Sequence, residues 1–587
     1  MKKIFIFFTL LASLFAFNGC SEEEYDSKYK DPSKVSEASI DKLLSGCLLC
    51  ANDWACSTYG RYFGYEPQLM AKLSNAIGFT LDGGIYYHDE YEDYGQPYNN
   101  YPSMVTNYMK MKQLYEELPD DEKADNEAYL LAAETHLYGM MIYIICEYND
   151  IPFSEIGQVA LTGDISYASP HYEDGQELFE MILDRLGEIE KKFATMKQPS
   201  GLAAQDFINK GDMMKWRRYA NSLRLRGALR VSTQGPLASK GQSIIKEILD
   251  GNYPIVESID QNIQIARQTS GPLNITGGTG FDWHNLQTAN TEQINRMMKA
   301  GDGGVWVEGQ DDPRLPIMYC MATLNGEQPV DDPSEEVVGD PLKTGKAMPT
   351  VFRGACASTD YDTYQTMFFT RLNRGYYSRV RSKGFFWGNE NWDHQIISSY
   401  EMWFIRAEAY YRGWANGDAK AAFTKGISES INLLFKYQNN RSVTEADNAD
   451  GDYLNGDQQR VVINPDQSIY DEAWITNFAN DRWETHIDGT PYAEGTLEAI
   501  MEQKWVAFGY LHCGEQWCDL RRTGYPRMYY APDHDETAVT PYPCNRLRYI
   551  ADERTYNSNF QAEVSSMDNY SDVLFWAKAD WHDGPTY

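Results

Sequence analysis

Residues 395–437 read QIISSYEMWFIRAEAYYRGWANGDAKAAFTKGISESINLLFKY, and this stretch decides the fold class of the chain. Its apolar side chains recur every three or four residues, the spacing that places them along one face of an α-helix. The dipeptide Asn416-Gly417 interrupts the pattern, and Ala422 and Phe423 resume it. Because asparagine and glycine favour turns, the stretch predicts two antiparallel helices joined by a tight turn.

Three further stretches repeat this arrangement of paired helices. They are 107–118 with 119–156, 172–196 with 210–232, and 495–511 with 514–526. In the first of them Pro119 should end one helix, and Asp125 or Asn126 is predicted to cap the next.

The helix pair at 407–427 resembles a tetratricopeptide repeat, with the small residues Ala407 and Ala409 at the helix crossing. The four pairs are dispersed along the chain instead of following one another at about 34 residues, the period of that repeat. The longest insertion, from about 251 to 394, is rich in glycine clusters and proline turns and has no sustained helical period. The predicted fold is therefore mostly α: about four tetratricopeptide-type helix pairs form a scaffold, with loop-rich insertions and few short strands.

The start of the chain predicts export and lipidation. Lys2 and Lys3 precede an apolar run at 4–17, which is too short to span a bilayer. The run ends in FNGCSEEEYD (17–26), which resembles a bacterial lipobox in which Cys20 receives a lipid and becomes the mature N-terminus. The acidic residues after the cysteine resemble a surface-export signal of Bacteroidetes-type lipoproteins. The prediction is a signal peptide at 1–19 and a flexible tether at 20–40; the alternative is an ordinary secretory signal with an incidental cysteine.

Charge and motifs exclude several function classes. The net charge of −33 opposes nucleic-acid binding, because a polyanionic chain is repelled by phosphate. The cysteines lack zinc-ligand spacing, and no metalloprotease, nucleophile-elbow or P-loop motif is present. The stretch DNADGDYLNGD (447–457) is similar to a calcium loop but lacks the bidentate glutamate, so it would hold calcium weakly at most. No metal, other cofactor or catalytic residue is predicted.

Several segments in register resemble one protein family. They are WRRYANSLRLRGALRVS (216–232), EMWFIRAEAYYRGW (401–414), IMEQKWVAFGYLHCGEQWCDLRRTGYP (500–526), PYPCNRLRYIADERTYN (541–557), EYNDIPFSE (147–155) and DDPRLPIM (311–318). Together they resemble the SusD/RagB family of outer-membrane nutrient-binding lipoproteins. The resemblance implies a non-enzymatic domain at 41–587, lipid-anchored to the outer membrane and facing outward. It also implies capture of a glycan, or in some members a peptide, and delivery to a SusC-like TonB-dependent transporter on which the protein acts as a lid.

Ligand contacts are predicted from aromatic residues in segments without helical periodicity. A flat ring beside hydrogen-bonding side chains suits a sugar, whose faces are apolar and whose edges carry hydroxyls. The candidates are Tyr86, Tyr87, Tyr91, Tyr94, Trp283, Trp306, Trp387, Asn389 and Trp392. The alternative is that the tyrosine-rich segment at 84–101 only packs on the scaffold or on the transporter.

Three other functions stay open at this level. A polar, tyrosine-rich site would also accept a peptide or glycopeptide. A surface glycoside hydrolase with a helical scaffold would reveal itself by glycan turnover, since paired carboxylates alone are uninformative in a chain with 85 of them. A purely structural lid would keep transport intact after Trp283, Trp387 and Trp392 were replaced by alanine.

Overall fold

A computed structural model describes most of the scaffold and part of the insertions. The described residues are 38–55, 61, 65–66, 69–78, 86, 96–266, 288–322, 351–355, 377–381, 393–439, 463–493, 495–530, 532 and 540–583. The signal peptide, Cys20, the calcium-like loop at 447–457 and most of the tether lie outside them. The division into signal peptide, tether and nutrient-binding domain stays a prediction.

Helices dominate the described residues, as predicted. Those of seven residues or more are α1 Ile40–Cys50, α2 Tyr101–Glu117, α3 Asp120–Tyr148, α4 Gly175–Thr195, α5 Met213–Val231, α6 Ala238–Asp250, α7 Thr291–Met297, α8 Ser399–Tyr411, α9 Ala419–Asn439, α10 Glu472–Arg482, α11 Thr496–Phe508 and α12 Cys513–Thr523. Shorter α-helices are Asn52–Ala55, Ala71–Leu73, Gln158–Thr162, Leu202–Gln205, Arg314–Met318, Ala551–Tyr556 and Phe560–Glu563. Single 3-10 turns occur at Pro97–Asn100, Ile165–Ala168, Ile259–Gln261 and Ser565–Met567. One antiparallel sheet pairs β1 Ile263–Ile265 with β2 His394–Ile397.

The four predicted helix pairs are confirmed as α2 with α3, α4 with α5, α8 with α9, and α11 with α12. In the third pair the rings of Phe404 and Phe423 meet edge to face, 6.1 Å apart. Gly417 lets the turn close over Tyr410, because a Cβ at this position would lie 2.4 Å from the tyrosine ring. The tight connection therefore depends on the absence of a side chain.

Two predicted boundaries are wrong. Helix α3 begins at Asp120 with Pro119 as its N-cap, so Asp125 and Asn126 lie inside the helix. Acidic residues in the first turn of α3 suit the positive end of the helix dipole, and Pro119 is held in the extended conformation that allows a helix to start after it. The stretch 395–397, read as helix, is part of β2, because it pairs with β1.

Helices α3 and α5 form the interior. The apolar run of α3 is long enough by composition to cross a membrane, but it is wholly buried within the fold. Helix α5 packs against α3, α4, α6, α8 and α12. Helices α1 and α6 were not predicted from the sequence, although both pack on predicted helices.

The arginines of LRLRGALR, in α5, pair with carboxylates of neighbouring helices. Arg226 lies 2.5 Å from Glu401 of α8, and Arg230 lies 2.5 Å from Glu515 of α12. Arg224 lies 3.0 Å from Glu247 of α6. These buried arginines therefore tie three neighbouring helices to α5, because a buried charge requires a partner.

Candidate functional site

The predicted ligand-binding segments leave the scaffold at one place. The segment that contains the tyrosine cluster follows Gly78, whose backbone N–H donates to the carbonyl of Thr288 at 2.9 Å. Thr288 is also the first described residue after the segment that carries Trp283. Two candidate segments that are about 200 residues apart in sequence are thus anchored side by side.

Further backbone pairing attaches the remaining segments to the same place. Thr288 forms a bridge with Arg379, and Tyr319 forms one with Val380. The N–H of Cys320 donates to the carbonyl of Arg379 at 2.8 Å. Arg381 is the last described residue before the segment that carries Trp387, Asn389 and Trp392.

The short segment 351–355 is the last part of this backbone arrangement. Asn290 forms a bridge with Ala355, Val305 forms one with Val351, and the N–H of Ala322 donates to the carbonyl of Val351 at 3.0 Å. We call the assembled backbone the loop junction; it comprises Gly78, 288–290, 319–322, 351–355 and 377–381. It contains one end of each of the segments 79–95, 267–287 and 382–392, and Val351 within it pairs with Val305 of the loop that carries Trp306.

The carboxylates of Asp302 and Asp311 brace the loop that carries Trp306. Asp311 accepts backbone hydrogen bonds from Lys299 at 2.8 Å and from Val307 at 2.7 Å, and Asp302 accepts one from Gly354 at 2.6 Å. Burial raises the pKa of both aspartates, and the donated hydrogen bonds oppose that shift. Both carboxylates accept hydrogen bonds from backbone N–H groups. Asp311 thereby fixes the loop that carries Trp306, and Asp302 joins that loop to the 351–355 strip of the junction.

The structure places two of the nine ligand candidates, and both are buried. Tyr86 has no exposed surface, and its ring lies 6.0 Å from that of Tyr530. Trp306 is 5% exposed between the exposed Val305 and Val307, and its indole N–H is buried with no hydrogen-bond acceptor among the described residues. In this conformation neither ring is open to a ligand, so contact at these positions stays a prediction. The candidates outside the described residues are Tyr87, Tyr91, Tyr94, Trp283, Trp387, Asn389 and Trp392.

Two buried histidines lie close together in the scaffold. The rings of His394 and His512 lie 6.1 Å apart beside Arg61. Burial, followed by the nearby positive charge of Arg61, lowers the pKa of His512 to about 3. The enclosed cavity beside them measures about 20 Å³, enough for a water molecule but not for a sugar. In the part of the chain that the structure describes, no three His, Cys, Asp or Glu side chains are grouped to hold a metal ion.

The junction itself could not be predicted from the sequence. Its strips are one to five residues long and are paired through backbone groups, so no side-chain period marks them. The glycine and proline content of 251–394 predicted a loop-rich insertion; its described residues also contain α7 and the short helix Arg314–Met318, and the composition could not show which of its residues pair at the junction.

The fold is shared with solved chitin-binding proteins and SusD homologues. The chain is similar to a chitin-binding protein, with 19% identity and a TM-score of 0.65, covering 92% of this chain and 100% of that one. It is similar to a SusD homologue from Bacteroides fragilis, with 19% identity and a TM-score of 0.64, covering 91% and 99%. It is also similar to a chitin-binding SusD homologue from Flavobacterium johnsoniae, with 17% identity and a TM-score of 0.59, covering 91% and 98%. At these identities the likeness establishes the fold alone.

The sequence itself establishes the family. No curated protein matches the chain. A family model for SusD-like proteins, described as starch-binding and associating with the outer membrane, matches residues 67–549. That match covers most of the chain and includes the helix pairs and the loop junction. The chain therefore belongs to the SusD-like family.

Proposed function

We propose that this protein is a lipid-anchored binding protein of the outer-membrane surface that captures an oligosaccharide and passes it to a TonB-dependent transporter. One observation carries the proposal: each of the separate segments that contain the candidate Trp and Tyr residues begins or ends at the loop junction. Loops gathered on a rigid scaffold are the usual way in which a binding site is built. The family description and the chitin-binding structural relatives support a carbohydrate as the cargo.

Capture on this account needs no covalent step. The rings of Trp283, Trp387 and Trp392 would stack on the apolar faces of sugar units, and Asn389 would orient the hydroxyls by hydrogen bonding. The helix pairs provide the rigid base, and movement of the whole protein as a lid on the transporter would release the cargo inward.

Calorimetric titration of the chain from Glu22 onward tests ligand capture. The panel comprises malto-oligosaccharides, chito-oligosaccharides, other polysaccharides and short peptides. We expect one glycan class to bind, and we expect Trp387→Ala or Trp392→Ala to weaken it about tenfold or more, the cost of removing a central aromatic contact. Trp403→Ala is the matched control, because this tryptophan lies in α8, donates to the carbonyl of Glu257 at 2.8 Å and lies under Arg406.

Each other result has a definite meaning. Heat from peptides alone would replace the glycan by a peptide as cargo, and hydrolysis of a bound glycan would replace capture by catalysis. Equal weakening by Trp403→Ala and Trp387→Ala would show that the loops are not the site. Absence of binding to the whole panel would contradict independent capture.

The anchor is tested separately in a Gram-negative host. Full-length protein should incorporate labelled palmitate and be accessible to protease added to intact cells. Cys20→Ser should abolish the label, because the thiol that carries the diacylglycerol is lost. Labelling that survives this substitution would show that Cys20 is not the lipidated residue.

A further inference from the structure

A large groove on the described scaffold lies away from the loop junction. It is a groove of about 1050 Å³ between α2, α3, α4 and the connection that precedes α4. Its apolar lining includes Tyr108 of α2, Leu130 and Tyr138 of α3, and Leu178 and Met181 of α4. We call it the acidic groove, for the charges described next.

Carboxylates outnumber cations in the acidic groove. Its lining contains six carboxylates and two cationic side chains: Glu134, Glu173, Asp174, Glu177, Asp184 and Glu188 against Lys112 and Arg185. Arg185 forms ion pairs within the groove itself, because it lies 2.8 Å from Glu134 and 2.7 Å from Glu188. The groove therefore keeps a net negative charge above an apolar floor.

At least one of these carboxylates is not engaged inside the protein. The Glu177 side chain makes no hydrogen bond or ion pair with any other residue that the structure describes, whereas Glu173 accepts from the backbone of Phe153 and Ser154. Asp184 is paired with Lys240 at 2.6 Å, and Lys240 lies outside the groove lining. Glu177 and the incompletely neutralised Glu188 are therefore the carboxylates most available to an incoming cation.

Apolar side chains protrude from the segments beside the groove. Phe153 and Gln158 line it, and the adjacent Val159 is 36% exposed. Further along the same connection Ile165 is 81% exposed. The connection is bonded to the C-terminal segment that carries Tyr556, 75% exposed, through a hydrogen bond from Asn557 to the carbonyl of Pro170 at 3.0 Å. Val159 adjoins the groove lining in sequence, and Ile165 and Tyr556 lie on the segments connected to it; exposed apolar surface of this kind indicates an interaction site.

We propose that the acidic groove docks a basic, amphipathic segment of a partner polypeptide. Lysine or arginine side chains of that segment would pair with Glu177 and Glu188, and its apolar side chains would cover the floor and the protruding Ile165 and Tyr556. Charge complementarity favours a cationic partner, because the groove is negative and an opposite charge accelerates and orients docking. The apolar floor and rim favour a polypeptide over a small polyamine, which has little apolar surface to bury.

The test measures the anisotropy of a fluorescein-labelled twelve-residue peptide of lysine and leucine in an amphipathic order. A peptide with glutamate in place of lysine is the first control. We expect the lysine peptide to bind the full mature chain and the glutamate peptide not to bind. We expect the double variant Glu177→Lys, Glu188→Lys to weaken binding about tenfold or more, since like charges then face each other.

The decisive control distinguishes binding in the acidic groove from general attraction of the peptide to a chain with a net charge of −33. Glu472→Lys with Glu484→Lys changes the net charge equally at exposed positions in and just beyond α10, outside the acidic groove. This control should change the affinity less than twofold. Equal weakening by the two double variants, or weakening by neither, would overturn the proposal.

Two further measurements address the apolar contacts and the rival occupant. Ile165→Ser with Tyr556→Ser should weaken the lysine–leucine peptide severalfold and leave a lysine–serine peptide unaffected; no change would remove the apolar part of the proposal. Displacement of the peptide by a glycan that binds the protein would show that the groove is a glycan site, which overturns the assignment. Circular dichroism and the thermal midpoint check that each variant is folded.

Discussion

At the residue scale, the ion pair of Asp312 and Arg314 shows what a sequence motif can and cannot reveal. DDPRLPIM was used as a family motif, but its letters do not show what the charges do. In the structure both side chains have no exposed surface, their closest atoms lie 2.6 Å apart, and Arg314 also donates to Gln503 of α11 at 2.7 Å. The pair therefore holds the helix before the loop junction against the scaffold.

Asp312→Asn should be strongly destabilising. The substitution keeps the shape of the side chain but leaves the buried guanidinium of Arg314 without its carboxylate, and breaking such a pair typically costs about 3–5 kcal/mol. Urea unfolding measures the loss. Asp120→Asn is the control, because Asp120 is 98% exposed beside Lys123 and its loss should cost about 1 kcal/mol or less. A similar small loss at both positions would contradict the structural role of the buried pair.

His136 should make the protein less stable as the pH falls. Burial lowers its pKa to about 3, against 6.5 for the ordinary side chain. Between these pH values His136 is protonated in the unfolded chain and neutral in the folded chain. Acidification therefore lowers the unfolding free energy by about 1.4 kcal/mol per pH unit through this residue. Relative to wild type, His136→Gln should therefore gain stability as the pH is lowered from 6.5 to 4, measured by urea unfolding at each pH.

His171 provides a control of opposite sign. Its hydrogen bond and ion pair with Glu563 raise its pKa above the ordinary value. The stabilisation from this pair is complete below the unfolded pKa and is lost as the pH rises through the folded pKa. His171→Gln should therefore lose stability relative to wild type at low pH. The same trend in both variants would contradict the assigned environments.

At the element scale, helical periodicity predicted the four pairs because each buries one apolar face. Helix α1 was not predicted, because its cysteines were compared with metal-ligand patterns and not with a helical period. In the structure Cys47 is buried and packs toward α2. Helix ends were less predictable: α3 starts five residues before the predicted cap region, since Pro119 already supplies the starting geometry. The pairing of β1 with β2 could not be predicted, because it joins residues about 130 positions apart.

Gly417→Ala tests the tight turn between α8 and α9. The added methyl group would lie 2.4 Å from the outer end of the Tyr410 ring, so we expect a loss of about 1 kcal/mol of unfolding free energy, the low end of the overpacking range, because Gly417 is exposed and Tyr410 is half-buried. Tyr410→Ala removes the obstructing ring. In a double-mutant cycle the two substitutions should couple, and Gly417→Ala should cost less in the Tyr410→Ala background. Additive losses would contradict a steric origin.

At the scale of the whole molecule, the loop junction gives a physical reason for one site built from distant segments. Aromatic content identified the candidate segments, but only the three-dimensional pairing of Gly78, Thr288, Val351 and Arg379 shows that one end of each lies at the same place. Burial of Tyr86 and Trp306 was not predictable, because a lone aromatic residue in a loop carries no period that distinguishes packing from ligand contact. The acidic groove lies elsewhere, on the scaffold, so cargo and partner would occupy different surfaces.

The most direct test of this account is hydrogen–deuterium exchange of the mature chain with and without a glycan found to bind it. We predict that the glycan slows exchange in peptides that cover 79–95, 267–287 and 382–392, the segments anchored at the loop junction. Peptides from α2 and α4, which line the acidic groove, should exchange at the same rate in both states. Protection confined to α2, α3 and α4, with no change in the three anchored segments, would contradict the claim that the glycan site is built from the loops at the junction.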